Sequence, residues 1–173
     1  MTISTRFVAR LALGVAVALV VTMPRPVSAQ EAKRIGGHVG FVVPLVSRMD
    51  GTTTTVADDF VIGFPTGFGL KHWGRLALDL ELVPGYQNAP SDVSLEIHPG
   101  LVYGVRENLA AGMRVAFDVE GNAWGFTPLV NRTLYNARTH SLFGEVVMPV
   151  RFVDHVGGHR TSVGMGVHVG IGF

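Results

Sequence analysis

Cysteine is absent from the 173-residue chain, which excludes disulfides, thiolate metal sites and a cysteine-linked lipid anchor. Charged residues make up only 16% of the chain and form no basic run, so we expect no nucleic-acid partner. Beyond residue 29 no apolar run approaches the roughly 20 residues of a spanning helix, and no helical periodicity appears. Glycine, in contrast, is abundant with 22 residues. These features favour an all-β chain.

The first 29 residues have the pattern of a secretory signal peptide. Arg6 and Arg10 precede the short apolar run 11–21, and small residues lead up to a cleavage site between Ala29 and Gln30. An uncleaved N-terminal anchor is the alternative. Cleavage leaves residues 30–173 as one domain of 173 − 29 = 144 residues, with 14 − 3 = 11 basic and 13 acidic side chains. The mature chain is therefore expected to be slightly acidic.

The segment 161–173 alternates between apolar residues and residues that are mostly glycine. A strand places alternate side chains on opposite faces, so one face of this segment is apolar and the other is nearly bare. In a narrow membrane barrel the apolar face meets lipid, and the glycines leave room for large lumen side chains. The segment thus predicts a membrane-spanning strand.

This segment resembles the C-terminal signal strand of Gram-negative outer-membrane proteins, and the mature chain resembles the small OmpA/OmpX-like barrels. The resemblance implies an outer-membrane location, with lipid and lipopolysaccharide around the barrel. It also implies recognition by the barrel assembly machinery through Val167, Val169, Ile171 and Phe173. A monomer is expected.

Eight strand-like runs separated by turn chemistry predict a single antiparallel up-and-down transmembrane β-barrel. The predicted strands are 35–46, 58–70, 74–84, 92–104, 109–120, 122–131, 140–153 and 161–173. Polar outer loops are expected at 47–58, 84–91 and 154–160, with a short outer hairpin at 120–122. Inner connections are expected at 71–74, 106–108 and 131–139.

One face of these strands carries most of the ionisable side chains. A packed apolar core could not hold so many charges, so we expect them in a polar lumen. The predicted lumen network comprises Asp79, Glu81, Glu96, His98, Arg114, Asp118, Glu145 and Arg151. Eight strands enclose little space, which favours a plug of salt bridges over an open pore. A soluble, lipocalin-like barrel with the opposite polarity is the alternative.

Three groups of residues could carry chemistry. Ser94, Glu96 and His98 share one strand face, but residues two apart are separated by about 6.6–6.8 Å. His140, Ser141 and Glu145 faintly resemble the His-x-Ser and Glu pattern of the lipid A deacylases. Here, however, the histidine and the serine are adjacent, so they face opposite sides of a strand. His155 and His159 share a loop that offers no third metal ligand.

The sequence therefore predicts a non-enzymatic outer-membrane protein that supports membrane integrity or surface interaction, with neither a metal nor a cofactor. A narrow conduit for small or hydrophobic solutes and a lipid A-modifying enzyme are the alternatives.

Overall fold

The structure is a computed structural model, and it describes residues 35–88, 90–121, 123–155 and 158–173. The predicted signal peptide and its cleavage site at Ala29 and Gln30 lie outside the described residues. None of the described segments forms a helix long and apolar enough to cross a membrane.

Eight strands make up the fold, and two of them are interrupted. They are β1 (Ile35–Met49), β2 (Thr52–Thr55, Val61–Gly63 and Thr66–Trp73), β3 (Leu76–Asn88), β4 (Ser91–Arg106), β5 (Leu109–Asp118), β6 (Ala123–Asn136), β7 (Ser141–Val147 and Val150–His155) and β8 (Gly158–Gly172). The predicted strand count and order are confirmed.

Each strand pairs antiparallel with the next, and β8 pairs with β1 to close the ring. The closing seam runs from His38 opposite Gly172 to Met49 opposite Ser162. At one end of the seam, Phe173 and Gly37 exchange two backbone hydrogen bonds of 2.9 Å. The predicted up-and-down barrel is therefore confirmed, because the paired strands form a closed ring.

The strands extend further than their sequence suggests, so three predicted outer loops are wrong. The run 47–58 begins as a continuation of β1, turns at Asp50 and Gly51, and returns as the first segment of β2. Both turn residues have positive φ angles, 50° and 82°, the backbone that a two-residue hairpin requires. Strands likewise cover most of 84–91 and 154–160, and β6 continues to Asn136 through the predicted inner connection. We call the end of the barrel where Asp50, Gly51, Glu120 and Gly121 lie the hairpin end, and the opposite end the turn end.

The exterior of the barrel is an apolar band. Leu78 and Leu82 on β3, Met113 on β5 and Ile171 on β8 are 43–52% exposed. The outward row of β3 runs from Leu76 to Tyr86, and the ten residue-to-residue steps of about 3.3 Å each, tilted by about 40°, span about 25 Å. That height matches the apolar band of a membrane barrel.

Aromatic side chains border this band at both ends. Near the hairpin end, the ring of Trp124 lies 4.8 Å from that of Phe152 and 5.6 Å from that of Phe126. Near the turn end, Tyr103 and Tyr135 are exposed. Paired aromatic girdles mark the two membrane–water interfaces.

Glycines inside the barrel make room for the lumen side chains, as the sequence predicts. A Cβ on Gly100 would lie 2.6 Å from the Arg114 Cγ, and one on Gly40 would lie 2.7 Å from the His168 Nε2. Both distances are shorter than real Cβ contacts, and each Cβ would also meet a carbonyl oxygen of the neighbouring strand, so glycine avoids clashes with both the lumen side chains and the backbone.

We expect Gly100→Ala to lower the free energy of unfolding by about 1–3 kcal/mol, because the new methyl group must displace Arg114 and also meets the Met113 carbonyl oxygen. Gly69→Ala is the matched control, since its Cβ would meet only the Leu78 carbonyl oxygen, at 3.7 Å. Urea unfolding of both variants, refolded in lipid vesicles, measures the difference. Equal midpoints for the two variants would contradict this packing.

Candidate functional site: the charged lumen and the turn-end vestibule

Arg114 on β5 organises the lumen. Its Nε donates to the Asp79 Oδ2 at 2.6 Å, its Nη1 donates to the Glu145 Oε1 at 2.7 Å, and its Nη2 lies 3.0 Å from the Glu81 Oε1. All four side chains are at most 8% exposed. The guanidinium therefore holds carboxylates from β3 and β7, which face each other across the barrel.

A second layer of charge lies toward the hairpin end. The Arg151 Nη2 donates to the Glu96 Oε2 at 3.0 Å, and its Nη1 donates to the Thr127 hydroxyl at 3.0 Å. The His98 Nε2 lies 2.6 Å from the same Glu96 oxygen, and its Nδ1 faces Glu81 at 3.7 Å. His98 thus links this layer to the carboxylates around Arg114.

Two histidines outside the predicted network belong to it. The His38 Nε2 lies 2.8 Å from the Glu81 Oε1, and the His168 Nδ1 lies 3.3 Å from the Glu145 Oε1. The Phe143 ring makes edge contacts with both imidazoles. Both histidines alternate with glycines on the lumen face, so the pattern that identified the charged residues could also have found them.

The cluster holds more negative than positive charge. Its four carboxylates face two guanidiniums, which gives 2 − 4 = −2 when its histidines are neutral. The members are Asp79, Glu81, Glu96, Glu145, Arg114 and Arg151, with His38, His98 and His168 between them. Because buried charge is costly, this excess favours protons on the histidines or a cation nearby.

Asp118, also predicted for this network, lies at the end of β5, where its Oδ1 accepts a hydrogen bond from the Glu120 amide at 3.2 Å. The predicted assembly residues Val167, Val169 and Ile171 alternate with lumen residues along β8, and Phe173 packs its ring over Gly37. Their role in assembly stays a prediction.

Glu81, Glu145 and His168 bring three potential metal ligands within 4.8 Å of one another. The Arg114 guanidinium already contacts both of these carboxylates. A metal ion would therefore have to compete with a positive charge in the same place.

The candidate catalytic groups do not assemble. Both ring nitrogens of His98 face carboxylates, whereas Ser94 is exposed and its hydroxyl lies over Gly85. His140 pairs with the Thr139 hydroxyl at 3.2 Å, and the Ser141 hydroxyl donates to the Gly172 carbonyl oxygen at 3.5 Å. Neither serine therefore has a histidine base within reach in these contacts.

The hairpin-end histidine His159 contacts Asp154 at 2.6 Å, and both side chains are exposed. The side chain of His155 lies outside the described residues, so the predicted pairing of the two histidines stays untested.

A cavity of about 640 Å³ occupies the turn end of the lumen, and we call it the vestibule. Its floor is formed by Asp79, Arg114 and Glu145. Its walls are made of small residues with Val102 and Phe143, and residues 136–141 of the β6–β7 connection line its mouth. The vestibule therefore leads from the turn end to the charged cluster and stops there.

No protein-family model matches the chain, and no curated protein does so either. Among solved structures, similarity extends to a de novo designed transmembrane β-barrel, with 16% identity over 80% of this chain and 99% of that chain (TM-score 0.41). The outer-membrane protein OprG from Pseudomonas aeruginosa is 10% identical over 80% of this chain and 93% of that chain (TM-score 0.46). The outer-membrane protein AlkL, solved by solid-state NMR in DMPC bilayers, is 11% identical over 87% and 96% (TM-score 0.43). The likeness concerns fold alone, and in fold this chain resembles the small outer-membrane barrels.

Proposed function

We propose that this protein is an integral outer-membrane barrel with a closed lumen and a non-enzymatic role, in membrane integrity or in interactions at the cell surface. The apolar exterior of the barrel supports the membrane location, because contact of the exposed leucines and phenylalanines with lipid is favourable and their contact with water is unfavourable. Lipopolysaccharide around the hairpin end, assembly through the barrel assembly machinery and a monomeric state belong to the same proposal.

The two layers of ion pairs carry the proposal of a closed lumen. Arg114 joins carboxylates from β3 and β7, and Arg151 joins Glu96 to Thr127 on β6. Opening a water path would require breaking contacts among groups that are mostly buried. An uncompensated buried charge costs about 3–5 kcal/mol, so thermal opening would be rare.

Planar-bilayer recording of the refolded mature chain tests the closed lumen. We expect no unitary current, while a heat-sensitive shift in gel mobility verifies that the sample is folded. Protein-free bilayers prepared in the same detergent are the control. Reproducible unitary steps would contradict the closed lumen and favour a conduit for small solutes.

Fractionation of cells that express the full chain tests the location separately. The chain is expected to sediment with the outer membrane and to require detergent for extraction. Recovery as a soluble periplasmic protein would overturn the membrane assignment.

A further inference from the structure

We propose that the vestibule is a binding site for a small primary amine with a short aliphatic tail, whose ammonium group pairs with Asp79. The ion pairs around Arg114 form the floor of this site, and the proposal does not depend on whether the barrel conducts.

The size and lining of the vestibule suit a small molecule. Its volume of about 640 Å³ falls within the range of ligand pockets, about 300–1,000 Å³. Ala77, Val102, Ala110 and Phe143 supply apolar wall for a short alkyl chain. The aromatic face of a phenylalanine also attracts cations. Polar groups are concentrated at the floor and the mouth, so a ligand with one charged end would bind in a defined orientation.

Asp79 supplies the anionic contact at the floor. Its side chain is only 8% exposed, and its contact with Arg114 uses Oδ2. Among the described residues, the other carboxylate oxygen has no hydrogen-bond partner, although the residue lines the vestibule. This oxygen is reached only through the vestibule, where a carboxylate is less well hydrated than in bulk water, and an ammonium group entering the vestibule would donate a hydrogen bond to it.

The surrounding charges favour a cation at this position. The charged cluster, which includes the floor residues Asp79, Arg114 and Glu145, has a net charge of −2 when its histidines are neutral. Of the charged groups that line the vestibule, Glu145 and Arg114 are already paired with each other, and Arg138 lies exposed at the mouth. His38 and His140 also line the cavity. Salt screens the charge of the exposed Arg138 but screens the buried carboxylates of the floor much less. A ligand with one ammonium group therefore binds best with that group at the floor and its uncharged tail toward the mouth.

Isothermal titration of the mature chain in lipid nanodiscs, with the heat of empty nanodiscs subtracted, tests the site. The probes are n-butylamine, n-butanol and butyrate, which share one alkyl tail and differ in charge. We expect saturable one-to-one binding of the amine, binding of the alcohol at least tenfold weaker, and none of the carboxylate. Putrescine should bind more weakly than butylamine, because its second ammonium group would lie near Arg138.

Two variants locate the site. Asp79→Asn removes the charge, and Ala77→Phe fills the cavity without changing any charge; each is expected to weaken amine binding at least tenfold. Asp154→Asn at the hairpin end is the matched control and should bind like the wild type. If Asp79→Asn does not fold, the amine affinity of Ala77→Phe is sufficient to test the site. Equal binding of butyrate and butylamine, or wild-type affinity in the folded cavity variant, would overturn the proposal.

Discussion

Arg114→Leu is expected to lower the free energy of unfolding by about 3–5 kcal/mol, the largest effect of any single substitution proposed here. The leucine leaves Asp79, Glu81 and Glu145 without their shared counter-charge, and all three are at most 8% exposed. Arg114→Lys should recover only part of the loss, because three separate guanidinium nitrogens reach three carboxylates and a single ammonium group cannot do the same.

Urea unfolding and refolding in lipid vesicles measures this effect. Arg160→Leu serves as the matched control: Arg160 pairs with Asp50 at 3.1 Å, but both side chains are about half exposed. Exposed pairs contribute about 0–1 kcal/mol, so this variant should unfold close to the wild type. Similar losses in the two variants would show that the lumen cluster contributes no more than a surface ion pair.

Val167→Arg is expected to have the second-largest effect, about 2–4 kcal/mol, because it places a charge on the lipid face near the middle of the membrane. Val167 alternates with the lumen residue His168 and pairs with Val43 on β1 and Val146 on β7. Its neighbours on the outer face are therefore apolar, and the guanidinium has no partner at that depth.

The control is Val163→Arg, four residues along the same outward row. Val163 pairs with Arg48, so this level of the barrel already carries charge and lies close to the membrane surface. The cost of a charge falls to about 0–1 kcal/mol near the interface. Folding yield and unfolding free energy in vesicles compare the two variants. An equal loss of unfolding free energy in the two variants would mean that Val167 does not lie deeper in the membrane than Val163.

The polar run 47–58 shows why the loop predictions were wrong. A Thr-rich polar stretch suits a loop, but threonine also favours strands, and hairpins that extend beyond the membrane can pair in water. The sequence pattern shows where the apolar band ends, because side chains change from apolar to polar at that point. It does not show where the strand ends. The strand itself continues as long as its backbone has a partner, as Arg48 and Thr53 show.

The alternation of side chains in the sequence was sufficient to predict eight strands and their order, because a strand's two-residue period is a local property. The sequence also indicated that Arg114 and Arg151 would face carboxylates. Which carboxylate each arginine reaches was decided only in the closed barrel, since contacts across the lumen depend on strand tilt and register around the whole ring. The same holds for the vestibule: its floor residues lie on β3, β5 and β7, and only ring closure brings them together.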